Sequence, residues 1–369
     1  MIATEFFFSF LIKNNISQFY GVPDSLLKEI CAYITYSVPS KQHIITANEG
    51  NAIALAAGSY LATQKPALVY MQNSGLGNAI NPLVSLMDEM VYQIPVLLMI
   101  GWRGEPGVHD EPQHVKQGLI TQELLETLGI PFTILTEKYE SEVIKAIEYM
   151  ELYKKPYALI VRANSFSKFA LPYSKENYEM SREEALKTII EYTTKDDIIV
   201  STTGKSSREI YEIREKLSQS HDNDFLTVGS MGHASSIALG IALNTSKKVY
   251  TIDGDGAFLM HMGATAINNQ NAPLNFKYIL INNRSHESVG GQPTIANQIN
   301  IKQILIGMGF NYVYEANSKK DLIISLSSLS KFEKSAIIVN VSIGSRPDLG
   351  RPKTSPIENK IAFMKKLKS

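Results

Sequence analysis

Two stretches carry side chains that could hold a cation at a predictable place. Val249-Tyr-Thr-Ile-Asp-Gly-Asp-Gly256 and Lys277-Tyr-Ile-Leu-Ile-Asn-Asn283 are apolar, β-branched runs that stop abruptly at oxygen-bearing residues. Such runs read as buried parallel strands that deliver polar groups at their C-terminal ends. The helical pattern from Ala257 to Asn269 lies between them. Together they make a βαβ unit whose right-handed crossover puts Asp255 and Asn283 on one edge of one sheet. Ligands bind at that edge in open α/β sheets. A carboxylate and a carboxamide meeting there, with Gly254 and Gly256 allowing close backbone approach, suit a hard cation such as Mg²⁺. The same residues also suit turns and caps, so spacing alone leaves both readings open.

The first half of the chain offers groups for proton and anion handling. Gly21-Val-Pro-Asp-Ser25 precedes an amphipathic helix from Leu26 to Tyr36, which makes Asp24 or Ser25 a candidate N-cap. The strand His43 to Glu49 runs into Gly50 to Ala62, a helix with so little side-chain bulk that it must pack tightly against something. Glu49 at its start either complements the helix dipole or is buried at an interface, where it would suit proton work. Ala67 to Asn73 is a further strand, ending in the glycine-rich turn Ser74-Gly-Leu-Gly-Asn-Ala79, which lacks the lysine and spacing of a P-loop. After the strand Pro95 to Ile100, the charged, proline-rich loop Gly101 to His114 brings Arg103, His109 and His114 as anion or proton handlers.

These groups need elements to position them, and the chain supplies two sets. Strand Tyr157 to Val161 closes the first. Residues 166–180 read as a linker, because Arg162 to Met180 is polar without an apolar period. The pattern restarts with a helix from Ser181, strand Ile198 to Ser201, and a turn in which Gly204 and Lys205 open another helix. Gly229-Ser-Met-Gly232 leads into a second small-residue helix, Leu305 to Gly309 follows the central strands, and Ser335 to Val341 is a late strand. The expectation is α/β: two doubly wound parallel-sheet domains, 1–165 and 181–369.

Composition narrows the function further. Lys plus Arg and Asp plus Glu number 36 each among 369 residues, which argues against a nucleic-acid or anionic-membrane surface. The apolar start Met1 to Lys13 lacks a basic leader and cleavage site and reads as a buried helix. No run reaches the length of a membrane span. The single Cys31 excludes internal disulfides and fits a reducing cytoplasm.

Gly254-Asp-Gly256 followed by Asn282-Asn283, with Glu49 upstream, resembles the signature of thiamine diphosphate-dependent 2-oxo acid decarboxylases. The resemblance implies that Asp255, Asn283 and the Ser285 carbonyl ligate Mg²⁺, which bridges to the cofactor diphosphate. It implies cofactor contacts from Gly254, Gly256 and Ala257, from the Gly229 carbonyl, and from Met231 wedged beneath the cofactor. Gly204 and Lys205 would lie near the diphosphate. Glu49 matches the glutamate that meets the aminopyrimidine, and the first domain would be the pyrimidine-binding one. Pyrimidine and diphosphate sites come from different subunits in such enzymes, so a homodimer or higher oligomer is implied, with no middle domain.

Further segments resemble the short phosphonopyruvate decarboxylase branch: Gly21 to Ser25, Ala47 to Asn51, Gln72 to Asn78, Gly101 to Gly107, Glu111 to His114, His286 to Thr294 and Gly344 to Arg351. Arg284-Ser285 stands where Gly-Ala is expected. A small 2-oxo acid, 3-phosphonopyruvate, is the implied substrate, losing CO₂ to give phosphonoacetaldehyde. Sulfopyruvate or another short 2-oxo acid is the alternative, and a non-catalytic subunit of the same fold a remote third. Arg103, Lys205 and His286 are the candidates for the substrate anion. Arg103 is favoured because its planar fork matches a phosphonate. Asp24 and His114 resemble positions that relay protons beside Glu49.

Overall fold

The computed structural model describes residues 1–171 and 178–368. The chain divides into two compact units, Met1–Tyr173 with Ser288–Gln292, and Ser174–Glu287 with Pro293–Ser369. Ser165 and Ser167 exchange backbone hydrogen bonds with Ile2, and Thr4 donates from Oγ1 to the Ser167 carbonyl, so the first unit holds its chain beyond residue 165. The polar stretch 162–181 leaves no room for a further domain between the sheets.

The first unit has strands β1 (Phe19–Gly21), β2 (His43–Ile45), β3 (Leu68–Gln72), β4 (Leu97–Gly101), β5 (Phe132–Ile134) and β6 (Tyr157–Val161). Around them lie α1 (Thr4–Lys13), α2 (Lys28–Ser37), α3 (Glu49–Thr63), α4 (Leu76–Pro82), α5 (Pro112–Thr127) and α6 (Tyr139–Tyr153). All strands run parallel in the order β2-β1-β3-β4-β6-β5. The central strands β3, β4 and β6 are apolar up to their C-terminal ends because helices cover both faces: Leu68 and Tyr70 join one core, Val69 and Met71 the other. On α3, Ala52, Ile53, Ala56 and Ala57 form the buried stripe, and Asn48 caps its start by accepting from the Asn51 amide.

The second unit repeats this plan. Its strands are β7 (Ile198–Ser201), β8 (Asp224–Leu226), β9 (Val249–Gly254), β10 (Phe276–Asn282), β11 (Tyr312–Ala316) and β12 (Ser335–Asn340). Its helices are α7 (Arg182–Tyr192), α8 (Lys205–Lys216), α9 (Ala234–Ala242), α10 (Asp255–Met260), α11 (Met262–Asn271), α12 (Ile301–Gly307), α13 (Lys319–Leu329) and α14 (Pro356–Lys368). The parallel order β11-β12-β10-β9-β7-β8 is that of the first unit, strand for strand. Capping boxes at Ser181–Glu184 and Ser318–Asp321 fix where α7 and α13 begin.

Several boundaries differ from those expected of the sequence. The helix expected from Ala257 to Asn269 is two helices, broken at His261, whose φ of −133° leaves the helical region. Helix α2 starts only at Lys28, because Asp24 caps a preceding turn through the Leu26 amide rather than the helix itself. Residues Leu305 to Gly307 end α12, and the turn through Gly309 follows. No helix among the described residues is long and apolar enough to cross a membrane.

Candidate active site

In each unit the polar residues gather where the strands end. At the first sheet, the ends of β1 and β3 meet through Asp24, whose Oδ1 accepts from Gln72 Nε2 at 2.6 Å and Oδ2 from the Leu26 amide at 3.0 Å. Ser74 in turn donates to Gln72 Oε1 at 2.8 Å. Burial pushes the Asp24 carboxyl up, against the lowering by Gln72, Leu26 and Arg103. The end of β4 must be glycine here, since a Cβ on Gly101 would lie 2.1 Å from Asp24 Oδ2.

Glu49, the first residue of α3, is buried and accepts from Asn78 Nδ2 at 2.8 Å on Oε2. Gly75 lies against it so closely that a Cβ would stand 2.5 Å from Oε1. The glycine-rich turn after β3 therefore serves to seat Glu49. Spacing had not assigned Asn78 this part, and only the turn's glycines hinted at a close neighbour.

The loop after β4 is ordered by its own charges. Arg103 donates from Nε to Asp110 at 2.7 Å, from a terminal nitrogen to the other Asp110 oxygen, and from Nη1 to Ser25 Oγ at 2.9 Å. Burial alone would push the Asp110 carboxyl up, but the Arg103 fork and the Glu111 and Gly104 amides more than reverse this. The fork expected to face a substrate anion is thus turned to Asp110. Asn73 stitches the loop to β3, donating to the Arg103 carbonyl at 2.8 Å and to Thr121 at 2.9 Å. His114, half-buried in the first turn of α5, has its carbonyl against Gly104, where a Cβ would lie 2.0 Å away, whereas His109 is exposed.

The second sheet brings Asp255 and Asn283 together. Asp255 opens α10 at the end of β9 and is buried. Burial raises its carboxyl to about 6, offset by a hydrogen bond from Thr294 and by the amides of Asp255, Asn283 and Gly256. Thr294 Oγ1 donates to Asp255 Oδ2 at 2.5 Å, on a return strand fixed by the Ser285 to Pro293 bridge. Asn283 accepts from the Ser285 amide at 3.1 Å and donates to Glu287 Oε2 at 2.9 Å.

Around this pair lie Met231, His286 and Ala257. A Cβ on Gly256 would stand 3.3 Å from Met231 Cε and 3.2 Å from His286 Nδ1, so a larger residue would press on both side chains. Burial pushes His286 down to about 4, so it is neutral. Gly232, with φ of +84°, turns the chain after Gly229 and Met231 over the Ala257 carbonyl. Gly204 has φ of +99° and lets the chain enter α8 at Lys205. Lys205 Nζ donates to Glu287 Oε1 at 2.8 Å.

Arg284 stands in the left-handed region with φ of +60°, which explains why glycine is the residue expected there. Its guanidinium lies 4.1 Å from the Tyr178 ring centroid and donates to Asn340 at 2.9 Å, contacts that offset the backbone cost. Glu287 went unassigned in the sequence, although it joins Asn283, Lys205 and Arg182.

With this geometry in view, comparison with known proteins is decisive. Residues 1–125 match the thiamine pyrophosphate enzyme N-terminal TPP binding domain, and residues 202–339 match the C-terminal TPP binding domain. Phosphonopyruvate decarboxylase of Streptomyces viridochromogenes is 31% identical over 359 residues, covering 92% of this chain and 88% of that protein. The chain belongs to the thiamine diphosphate-dependent decarboxylases. Phosphonopyruvate decarboxylase of Streptomyces hygroscopicus is 30% identical, covering 97% of this chain and 92% of that protein. Sulfopyruvate decarboxylase of Methanosarcina acetivorans is 29% identical, covering 82% and 81%.

The residues of this decarboxylase fit the cofactor and a cation. Among the described residues no three His, Cys, Asp or Glu side chains form a metal cluster, so a cation would rest on a mixed oxygen set. Asp255 is a buried carboxyl that accepts from a hydroxyl and from amides, donors without positive charge, the setting a cation would complete. Asn283 Oδ1 and the Ser285 carbonyl are neutral oxygens of the kind Mg²⁺ accepts beside one carboxylate and phosphate.

Proposed function

We propose that the enzyme decarboxylates 3-phosphonopyruvate to phosphonoacetaldehyde and CO₂, with thiamine diphosphate held through Mg²⁺. The observation that carries this reading is the buried Asp255–Asn283 edge, where Asp255 has no cationic partner among the described residues, in a chain alike over most of its length to phosphonopyruvate decarboxylases. Asp255, Asn283 and the Ser285 carbonyl hold Mg²⁺ in this reading. Gly229, Met231, Gly254, Gly256 and Ala257 shape the cofactor seat, with Gly204 and Lys205 near its diphosphate.

Thiamine diphosphate, when bound, supplies a nucleophilic carbon and an electron sink for the pair left by departing CO₂. Glu49 exchanges a proton with the aminopyrimidine. With Asn78 on Oε2, Oε1 is the oxygen that moves that proton. Arg103 and Ser25 take the phosphonate, with His286 lending a neutral imidazole. Asp24, pushed up by burial, and His114 carry protons for product formation. The working form is a cytoplasmic homodimer or higher oligomer, with Glu49 and the Asp255–Asn283 pair of each site drawn from different copies.

One observation favours sulfopyruvate as a second reading. With two donors on Asp110, Arg103 presents less positive charge than a dianionic phosphonate demands, and a singly charged sulfonate asks less of it. The function itself is tested by measuring CO₂ release from phosphonopyruvate while thiamine diphosphate and Mg²⁺ are each withheld and restored. Release that requires both supports the proposal. Release indifferent to either cofactor contradicts it.

A further inference from the structure

We infer that Glu287 is a positioning residue that sets the orientation of the Asn283 carboxamide and thereby the affinity of the Asp255 edge for its cation. The inference rests on the proposed Mg²⁺ role of Asp255 and Asn283. A carboxylate can only accept hydrogen bonds, so the Asn283 group facing Glu287 Oε2 at 2.9 Å must be its NH₂. That fixes Oδ1 on the other side, where the Ser285 amide donates at 3.1 Å and a further electron pair remains. Without Glu287, the Ser285 amide alone would hold this orientation, and a flipped carboxamide would turn its NH₂ end to the cation and repel it.

Glu287 is itself held rigidly. Arg182 Nη1 donates to Oε2 at 2.6 Å and Lys205 Nζ to Oε1 at 2.8 Å. Arg182 is buried and gives its remaining fork to buried Glu209, at 2.7 and 2.8 Å. Helices α7 and α8, which supply Arg182, Glu209 and Lys205, therefore anchor the loop after β10. Arg182 and Lys205 balance Glu209 and Glu287 two against two, so Glu287 donates little net charge to the cation edge, and its contribution is orientation.

The test is Mn²⁺ binding to the whole enzyme with thiamine diphosphate present and no substrate, read by electron paramagnetic resonance. In Glu287→Gln a single oxygen must serve Arg182, Lys205 and Asn283 at once. We expect the Mn²⁺ dissociation constant to rise roughly 10- to 100-fold, with the melting temperature within a few degrees of wild type. Glu287→Asp keeps the charge beside Arg182 but shortens the reach by one methylene, and should weaken Mn²⁺ by at least several-fold. It serves as the test if the amide variant does not fold. Wild-type Mn²⁺ affinity in either folded variant would overturn the inference. Failure of the wild-type enzyme to take up Mn²⁺ at all would instead overturn the proposed function.

Discussion

The two sheet edges share one topology but place their charged partners differently. In the first unit, Asp110 is matched by the Arg103 guanidinium and Glu49 by the Asn78 carboxamide. Asp24 is sealed by Gln72 and the Leu26 amide. In the second unit, Glu287 is doubly paired with cations while Asp255, at the centre of the edge, has only hydroxyl and amide donors. Equivalent strand ends thus yield one edge that holds a matched Arg103–Asp110 pair beside carboxyls with neutral donors, and one at which the buried Asp253 and Asp255 carboxyls have neutral donors among the described residues. The first suits proton transfer and anion recognition. Under the proposed function, the second would hold a cation beside the cofactor's phosphates.

Removing the Asp255 carboxyl should have the largest effect. Asp255→Ala is expected to lower decarboxylation by a factor on the order of 10³ or more and to abolish Mn²⁺ uptake. Retained metal binding would erase the distinction between the edges. Glu49→Gln should bind cofactor measurably yet lose on the order of 10² in turnover, as general acid–base help is lost. Near-normal turnover would remove Glu49 from the mechanism.

Arg103 sharpens the comparison at the matched edge. Arg103→Ala should raise KM for phosphonopyruvate by roughly 10- to 100-fold with little change for pyruvate. Equal effects on both substrates would sink its assignment to the anion. Asp110→Asn, which frees the fork, should move preference toward the dianion.

The smallest effect is on stability. His43 donates to or accepts from Tyr70 Oη at 2.7 Å, and burial pushes its imidazole down from 6.5 to about 4. The unfolded chain therefore binds the proton more readily. The resulting stability, about 3 kcal/mol at most, is fully present above pH 6.5 and declines as pH falls toward 4. His43→Asn should flatten urea-unfolding stability across that window, and an unchanged slope would exclude His43 as its source.

Much of this was legible in the sequence because parallel strands buried on both faces leave long apolar runs with abrupt polar ends. Asp255 and Asn283 stand at such ends, whereas Glu49 opens α3 beyond the short, partly exposed edge strand β2. The short edge strands β5 and β11 left no such run, since Phe132 to Ile134 and much of Tyr312 to Ala316 stay partly exposed. Pairings between side chains were not legible. Nothing in the spacing tells that Arg103 turns to Asp110, or that Lys205 and Arg182 meet on Glu287. Such choices depend on distances set by packed helices. At Arg284 the departure from the expected glycine was legible, and its physical meaning, a left-handed φ of +60°, came only with the structure.

The central claim is a decarboxylase whose matched edge reads a phosphonate and whose other edge anchors the cofactor. Initial rates of CO₂ release from phosphonopyruvate, sulfopyruvate and pyruvate, with saturating Mg²⁺ and thiamine diphosphate, test it most directly. The account predicts the highest kcat/KM for phosphonopyruvate, with pyruvate far below. A clear preference for sulfopyruvate, or equal rates on all three, would contradict it.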